Sequence, residues 1–553
     1  MSSTIPTEVD IIIAGGGASG CLLASRLASA HPTHSILLIE SGINNKNHPQ
    51  KINPGLFTTN LIPGSTTARF YTFVPGKEVD GREFSVAAGS CLGGGSSVNL
   101  MCYVRASRSD YDAFEMEGWG SEEVIGWLKK HETIHLPKNE INALNHGWDG
   151  EFQISQGGTY HQEELMEDFL SASTAAGWDR TADPQDLDTG NAFGVYAAHV
   201  LLHPLNEAGT TGLQILTEHD VVLVLFDSLK HATGVEILSR QTSSFPLTIN
   251  ARKLVVRSAG EFGSPTILQR SGVGSEDVLR KIDIKPVSVN PGVGSNYQDH
   301  PLQAWPYISA GGPETSLDGL LSGNLSVSEA LSQSNGILSS NHIESIGKIR
   351  PNAADLASFS PELQELWARD FTGLADKPAA LVLMASIHFG DHADTPGQYF
   401  TMGTALAYPY SKGEYMSLER VDVEILVRMY KKEREIARRM ERYRGPLGSC
   451  YPVFRDGSEA NFEVADRDLG KDDEAIVVCL RRVEAMWHSL GTCSMKPEEA
   501  GGIVAGNLNV YGVTGLKVAD LSIVPKMVGA NTYSTALLVG EKAAEIIIKE
   551  LKL

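Results

Sequence analysis

The feature that most constrains the fold is a glycine-rich turn between a buried strand and a helix near the start of the chain. Residues 9–14 read Val-Asp-Ile-Ile-Ile-Ala, a β-branched run typical of a buried strand. Gly15, Gly17 and Gly20 follow with G-x-G-x-x-G spacing, and an apolar helical pattern opens at Cys21. This order of strand, glycine turn and helix predicts the first βαβ unit of a dinucleotide-binding domain.

Each part of this unit has a physical task toward a bound dinucleotide. Gly15 makes the tight turn, Gly17 lets the main chain approach a pyrophosphate, and Gly20 lets the helix pack closely on the strand. The start of the helix, with Ala18 and Ser19, offers free N–H groups and the positive end of the helix dipole to the phosphates.

Two further segments narrow the choice of cofactor. An apolar run over 35–39 ends at Glu40 and Ser41, where a carboxylate can accept both ribose hydroxyls; FAD or NAD is therefore favoured over NADP. A second glycine-rich segment, 89–99, would bring backbone N–H groups to the pyrophosphate or to a flat ring system. Two separated glycine-rich segments suit a long, extended FAD better than NAD.

The composition disfavours several classes of protein. The chain has 553 residues, enough for two domains or one large domain of two lobes. A net charge of -21 disfavours nucleic acid and anionic membrane surfaces as partners, and no apolar run is long enough for membrane insertion. The six cysteines have no zinc-site spacing, so we expect no metal and interpret the thiols as reduced.

The same features give an expectation for the compartment. Residues 1–10 show no secretory signal, and together with the reduced thiols this predicts an intracellular, cytoplasmic protein. The Leu-Lys-Leu at 551–553 faintly resembles a peroxisomal address, so a peroxisomal location stays open.

A histidine near the end of the chain is the candidate proton acceptor. His488 follows a tryptophan in segment 487–492, and Asn531 lies in a Gly-Ala-Asn-Thr sequence. A neutral imidazole can take a proton near neutral pH, and an amide can hold a substrate oxygen without adding charge. Because an isolated histidine in an apolar setting is more often a packed core residue, this assignment depends on the cofactor predicted at the other end of the chain.

Motifs from one end of the chain to the other resemble the glucose-methanol-choline (GMC) family of flavin oxidoreductases. The resemblance rests on 15–20 with Glu40, 82–99, 258–274, 293–301, 487–495 and 509–542. Segments 107–112, 430–439 and 516–522 are most similar to the fungal alcohol (methanol) oxidase branch. Membership of a branch does not fix the substrate.

The resemblance implies an α/β fold with two lobes. One is a Rossmann-like FAD-binding domain, expected from segments 1–155, 206–300 and 481–553. The other is an α+β substrate domain with an antiparallel sheet and helices, expected from segments 156–205 and 301–480.

It also implies which residues share the FAD, with Asp520 near the ribityl and phosphate region and 531–535 near the ring. The expected cofactor-binding residues are Gly15, Gly17, Ala18, Ser19, Gly20, Glu40, Ser41, Leu92, Gly93, Gly94, Ser97, Asn99, Met101, Ala259, Asp520, Asn531 and Thr532. Some relatives attach the flavin through a histidine at the position of Val98. Valine cannot form that link, so non-covalent FAD is expected.

The implied reaction is FAD-dependent oxidation of a primary or secondary alcohol to an aldehyde or ketone. His488 would be the general base while a hydride passes to flavin N5, and Asn531 would hold the substrate oxygen. O2 is the expected acceptor, with oxidase and dehydrogenase both open. A lyase with structural flavin and an inactive flavin-binding paralogue are the alternatives. A larger alcohol of secondary metabolism is as good a candidate as methanol, and the oligomeric state is open.

Departures from the family pattern bear on these expectations. Glu261 stands where the family has a small residue, and an ionised carboxylate there would repel a diphosphate unless it points to solvent. Segment 203–234 is short around 226–228, which puts the adenine contacts in doubt, and the link 413–421 is also short. Residues 422–444 form an amphipathic helix pattern with a basic face, which we interpret as solvated, with an anionic partner as the alternative. This face comprises Lys431, Lys432, Arg434, Arg438 and Arg439.

Overall fold

The fold is described from a computed structural model of the chain. It covers residues 5–62, 64–74, 81–155, 163–195, 198–199, 212–242, 245–332, 336–390, 392, 397–411, 418–448, 451–454 and 473–552. Several parts of the sequence predictions lie outside these residues, namely 1–4, 203–211, 413–417, Cys450 and Leu553.

The strands are numbered in chain order. They are β1 (Glu8–Ala14), β2 (Ile36–Ile39), β3 (Ala68–Thr72), β4 (Ser85–Gly89), β5 (Glu132–Ile134), β6 (Phe152–Ser155), β7 (Asp179–Thr181), β8 (Ala192–Val195), β9 (Ala198–His199), β10 (Leu213–Leu216), β11 (His219–Phe226), β12 (Ala232–Ser239), β13 (Leu247–Arg257), β14 (Val273–Gly274), β15 (Ser288–Val289), β16 (Pro301–Ser309), β17 (Ile343–Ile349), β18 (Ala380–Ala385), β19 (Tyr399–Leu406), β20 (Tyr443–Pro446), β21 (Glu484–Ala485) and β22 (Leu516–Val518).

The α-helices are numbered in the same way. They are α1 (Ala18–Ala30), α2 (Pro49–Ile52), α3 (Arg108–Asp112), α4 (Ser121–His131), α5 (Glu163–Ala175), α6 (Gly260–Arg270), α7 (Glu276–Lys281), α8 (Asp318–Leu321), α9 (Val327–Ser332), α10 (Ala353–Ser358), α11 (Pro361–Asp370), α12 (Arg420–Arg439), α13 (Asp473–Leu480) and α14 (Tyr533–Leu551).

The first sheet carries the glycine-rich turn at the end of β1. Its order is β10-β2-β1-β13-β12-β11, with β22 paired to β13. β10, β2, β1, β13 and β22 pair in parallel, whereas β11 and β12 add an antiparallel edge. The apolar run of β1 is buried, as parallel strands covered on both faces require. Helices α1 and α14 pack against each other, which brings both their N-termini to the carboxyl end of β1.

The second sheet has the order β20-β16-β19-β18-β17-β8-β7, with β21 paired to β16. All its pairs are antiparallel except β7 with β8. One face packs against α5 and α12 around a buried aromatic cluster that includes Trp305 and Tyr430. The predicted α/β fold with a separate antiparallel sheet is confirmed. The division into five segments stays a prediction; β21, from the last of them, pairs with the second sheet.

The amphipathic pattern predicted over 422–444 corresponds to α12, which ends earlier, at Arg439. The chain turns at Met440 and then forms β20, so the pattern combined two elements. The interpretation of a fully solvated basic face is wrong at Arg434, which is 6% exposed and lies over the Phe454 ring. Its hydrocarbon stem and planar head pack well on an aromatic face, which charge patterning alone does not reveal.

Candidate active site

A cavity of about 1540 Å³ connects the glycine-rich turn of the first sheet with the inner face of the second. Its wall includes Gly17, Asp520, His488 and Gly403, residues from four distant parts of the chain. Ordinary small-molecule pockets measure roughly 300–1,000 Å³. The cavity is therefore large enough for an extended ligand together with a second, smaller one.

The two glycine-rich segments meet at one end of this cavity. Gly15 has a φ of +118°, and a Cβ atom there would lie 2.2 Å from the carbonyl oxygen of Ser258, so only glycine fits. A Cβ atom at Gly94 would lie 2.7 Å from Cα of Gly17, so the second segment packs directly on the first. A Cβ atom at Gly17 would meet only one protein atom within 4 Å, at 3.9 Å. The space beside Gly17 is thus open cavity next to the N-terminus of α1.

Most of the residues predicted to bind the cofactor line this cavity. Those in its wall are Gly15, Gly17, Ala18, Ser19, Glu40, Ser41, Gly94, Asn99, Ala259, Asp520, Asn531 and Thr532, and His488 joins them. The predicted residues that do not line it are Gly20, Leu92, Gly93, Ser97 and Met101.

These last five residues lie behind the residues that line the cavity and hold them in position. A Cβ atom at Gly20 would lie 2.1 Å from the Gly15 oxygen, so Gly20 holds α1 against β1. The Gly93 N–H donates to the oxygen of Gly16 at 2.8 Å, and the Ser97 hydroxyl donates to that of Leu92 at 2.6 Å. The Met101 N–H donates to the Asn99 side chain at 2.9 Å. Their hydrogen bonds fix the loop shape, a role that the motif alone does not separate from ligand contact.

Glu40 has a structural task besides the one expected from its position. Its carboxylate accepts the N–H groups of Gly16 and Gly42, each at 2.8 Å. Burial raises the pKa of this carboxyl group, and the two backbone hydrogen bonds act in the opposite direction. Oε1 also accepts the Ser41 hydroxyl at 3.3 Å, whereas Oε2 keeps a second lone pair, so Glu40 can hold the turn and still accept a ribose hydroxyl at Oε2.

The structure shows where two of the departures from the family pattern lie in the fold. Glu261, in the first turn of α6, lines the cavity instead of pointing to bulk solvent. Burial raises its pKa to about 8, so at neutral pH it is mainly a neutral acid, which does not repel a diphosphate. The short segment around 226–228 is the turn between β11 and β12, and His219 and Val221 of β11 line the cavity. Described residues of β11 therefore form part of the wall at the end of the cavity beside Glu40.

His488 lies in the cavity wall between two polar neighbours. Its Nδ1 is 2.8 Å from Nδ1 of His300, and its Nε2 is 3.2 Å from Nδ2 of Asn531. On its other side, Nε2 of His300 lies 3.0 Å from the carbonyl oxygen of Val528 and 3.2 Å from that of Ala407.

These contacts determine where the protons sit on both rings. Carbonyl oxygens only accept, so Nε2 of His300 carries a hydrogen. Burial lowers the pKa of His300 to about 4, so the ring is neutral and its Nδ1 is an acceptor. His488 must then donate from Nδ1. Burial, with His300 nearby, lowers the pKa of His488 well below its usual value, so at neutral pH its Nε2 carries a lone pair, which accepts a hydrogen bond from the Nδ2 amide of Asn531. This nitrogen faces Asn531, and His488 has the form of a base.

Asp299 fixes the main chain of both histidines. Its Oδ1 accepts the N–H of His488 at 2.9 Å and that of His300 at 2.7 Å, and its Oδ2 accepts the Ser489 hydroxyl at 2.7 Å. Trp487 has a φ of 59°, an unusual conformation for this side chain, and such strain often marks functional sites. Segment 293–301 entered the prediction only as a family motif; the Asp-His pair within it was the available signal for the polar groups behind His488.

Several open positions in this wall fit a flavin dinucleotide. The unfilled space at Gly17, beside the N-terminus of α1, suits a diphosphate. At the other end, Oδ1 of Asn531 is buried without a hydrogen-bond partner among the described residues, and buried polar atoms rarely stay unpaired. Within the part of the chain that the structure describes, no cluster of three or more acidic, His or Cys side chains could hold a metal ion.

Comparison with known proteins decides the family. Profiles described as GMC oxidoreductase match residues 9–302 and 406–540. The chain belongs to the GMC oxidoreductase family. It is 35% identical to an alcohol oxidase from Pichia angusta, over 99% of this chain and 96% of the relative. That alignment spans 649 positions although the chain has 553 residues, so the relative has segments that this GMC protein lacks.

Solved structures show the same fold over the full chain. A formate oxidase superposes with a TM-score of 0.84 at 20% identity, covering 100% of both chains. A fungal aryl-alcohol oxidase superposes with a TM-score of 0.72 at 22% identity, covering 99% of this chain and 100% of the other. Among the described residues of this GMC oxidoreductase, no helix is long and apolar enough to cross a membrane.

Proposed function

We propose that this protein oxidises a primary or secondary alcohol with non-covalent FAD and passes the electrons to O2. The observation that carries the proposal is that a histidine lone pair and an unpartnered amide oxygen lie side by side in the cavity that begins at Gly17. The lone pair is that of Nε2 of His488, which accepts from Nδ2 of Asn531 at 3.2 Å, and the oxygen is Oδ1 of the same asparagine. The alcohol oxidases among the relatives favour this reaction over the lyase and inactive alternatives.

The residues of the chain account for the proton. His488 accepts the hydroxyl proton at Nε2 while its Nδ1–H keeps its hydrogen bond to His300. Bound FAD would supply the acceptor for a hydride from the carbinol carbon, so an alcohol that also gives its hydroxyl proton to His488 would become a carbonyl compound. Asn531 holds the substrate oxygen by donating from its Nδ2 amide, which lies beside Nε2 of His488, because Oδ1 can only accept. The imidazolium left on His488 places a positive charge beside the site where oxygen is reduced, which favours electron transfer to O2.

The function is tested by spectroscopy without oxygen. The purified yellow protein is mixed anaerobically with a panel of primary and secondary alcohols, and flavin absorbance is followed. We expect bleaching by at least one alcohol and recovery of the colour, with peroxide formation, when air is admitted. Recovery of colour only with an artificial acceptor would make the protein a dehydrogenase. Absence of bleaching by every alcohol, with FAD bound, would favour the lyase or the inactive paralogue.

The form of FAD attachment is a separate prediction. Val98 lines the cavity where some relatives carry the linking histidine, and valine has no nucleophilic atom for a bond to the flavin. We expect acid precipitation to release all flavin into the supernatant. A Val98→His variant is the matched comparison, since it restores the only missing functional group at this position. Flavin that remains on the wild-type polypeptide after acid treatment would contradict the prediction.

A further inference from the structure

The end of the cavity beyond His488 is lined by the inner face of the second sheet. Leu302 and Ala304 of β16, Leu383 of β18 and Gly403 of β19 form this apolar face. The strand register places Gly403 directly beside Ala304 and Leu383. The apolar face thus presents hydrocarbon around one position that has no side chain.

Two chain connections hold the apolar face beside the candidate base. Leu302 is two residues past His300, whose ring lies 2.8 Å from that of His488. Met486 is two residues before His488; its N–H donates to the His300 oxygen at 2.9 Å, and its side chain and that of Leu302 pack against the same apolar cluster of β18 and β19. A substrate with its hydroxyl at His488 therefore has its body against the apolar face.

Polar side chains around this end are largely engaged within the protein. The Thr401 hydroxyl donates to a main-chain oxygen at 2.6 Å, and Nε2 of His392 lies 2.9 Å from another, whereas Nδ1 of His392 is buried without a hydrogen-bond partner among the described residues. The Glu484 carboxylate pairs with Arg82. Gln303 also lines the cavity, although strand alternation directs its side chain to the opposite face of β16. A substrate body bound here meets mainly apolar atoms.

We propose that the apolar face binds the hydrocarbon body of an uncharged alcohol larger than methanol, and that Gly403 sets the size of body that fits. This inference rests on the proposed function, because the hydroxyl at His488 fixes which end of the substrate lies here. Apolar burial favours binding of each added methylene, whereas a cation or a polyol would lose water without gaining partners.

A larger side chain at Gly403 is expected to reduce the size of the cavity, because the neighbouring side chains leave space for it in only one direction. A Cβ atom there would lie 3.3 Å from Cγ of Leu383 and 3.4 Å from Cδ1 of Leu302. Both contacts are tight, so a larger side chain must extend into the cavity. Gly403 lies within the regular strand β19 and is not among the glycines with positive φ, so valine can adopt its backbone conformation.

The test compares, on the FAD-loaded enzyme, alcohols whose bodies differ in size, charge and polarity. We measure kcat/KM for methanol, butanol, hexanol and benzyl alcohol, with choline and glycerol as the cationic and polyol members. The wild type is expected to prefer hexanol or benzyl alcohol to methanol, choline and glycerol by about tenfold or more. A higher kcat/KM for hexanol would indicate an aliphatic body, and a higher kcat/KM for benzyl alcohol would indicate an aromatic body. Preference for methanol, choline or glycerol would overturn the proposal.

Gly403→Val then tests the assigned position. It is expected to lower kcat/KM for hexanol and benzyl alcohol by about tenfold or more, and to change that for methanol by less than about threefold. Gly126→Val is the control: Gly126 lies in α4, outside the cavity wall, and a Cβ atom there meets no atom within 4 Å. An equal loss for small and large alcohols in Gly403→Val, with FAD content intact, would remove Gly403 from the specificity site.

A non-reacting ligand separates this inference from the proposed function. A tertiary alcohol of hexanol size has no hydrogen on its carbinol carbon, so it can bind but cannot be oxidised. We expect it to perturb the flavin absorbance of the wild type, and to do so at least about tenfold more weakly in Gly403→Val. If no alcohol bleaches the flavin and this binding difference persists, the oxidase proposal fails while the apolar site stands. Equal or absent binding in both proteins overturns the site.

Discussion

His488→Ala is expected to lower the anaerobic rate of flavin reduction by about 10²–10⁴-fold, the range for a lost acid/base group. The variant should still fold and bind FAD, because the wall near the phosphates comes from segments around Gly17 and Gly94, away from His488. Substrate binding should weaken less than the reduction rate, since proton removal matters most in the transition state. The measurement is stopped-flow absorbance, with melting temperature and FAD content determined on the same sample.

The pH dependence gives this prediction a second readout. Burial lowers the pKa of His488, so its base form appears as pH rises, and the limb of increasing rate should lie below the ordinary histidine value of about 6.5. His488→Ala should remove this limb, and Asn531→Ala should slow reduction but keep it, because an amide does not titrate. A limb near pH 6 that persists in both variants would belong to Asp299, whose pKa burial raises to about 6. Near wild-type reduction in intact His488→Ala would remove the base assignment.

Gly17→Val is expected to abolish FAD binding while leaving the fold intact. The nearest protein atom to a Cβ at Gly17 is 3.9 Å away, so the added side chain enters the cavity and occupies the space proposed for the diphosphate. The protein should purify colourless, and added FAD should not restore the absorbance or shift the melting temperature. Gly126→Val controls for the intrinsic effect of replacing glycine by valine. Stoichiometric FAD in Gly17→Val would remove Gly17 from the cofactor site.

The first sheet and its turn were predictable because their determinants are local. A β-branched run, three glycines at fixed spacing and a helical pattern occupy adjacent positions, and each favours the same βαβ unit. The same motifs predicted less completely which residues line the cavity. Gly93 and Ser97 belong to a glycine-rich segment that does reach the cavity, yet their own groups bond to other parts of the loop. Spacing identifies such a segment, whereas the direction of each group depends on the folded loop.

The polar surroundings of His488 were not predictable from local pattern. His300 lies 188 positions away in sequence, and the hydrogen on its Nε2 is set by carbonyl groups from Ala407 and Val528, in two further segments. The ionisation of Glu261 is similar, because burial in the assembled wall, not its place in the motif, raises its pKa to about 8. Such properties arise only after distant segments have packed together.

The hydrogen bonds of His300 restrict the path of the proton that His488 would take from an alcohol. The outward nitrogen of His300 ends at two main-chain carbonyl oxygens, which are far too weakly basic to take up a proton. The protein interior therefore offers no exit on that side, and the proton must return through the cavity by which it entered. Exchange of this hydrogen with bulk water would then have to pass through the cavity, so a substrate or product that fills the cavity would slow the loss of an isotopic label carried in by the substrate hydroxyl.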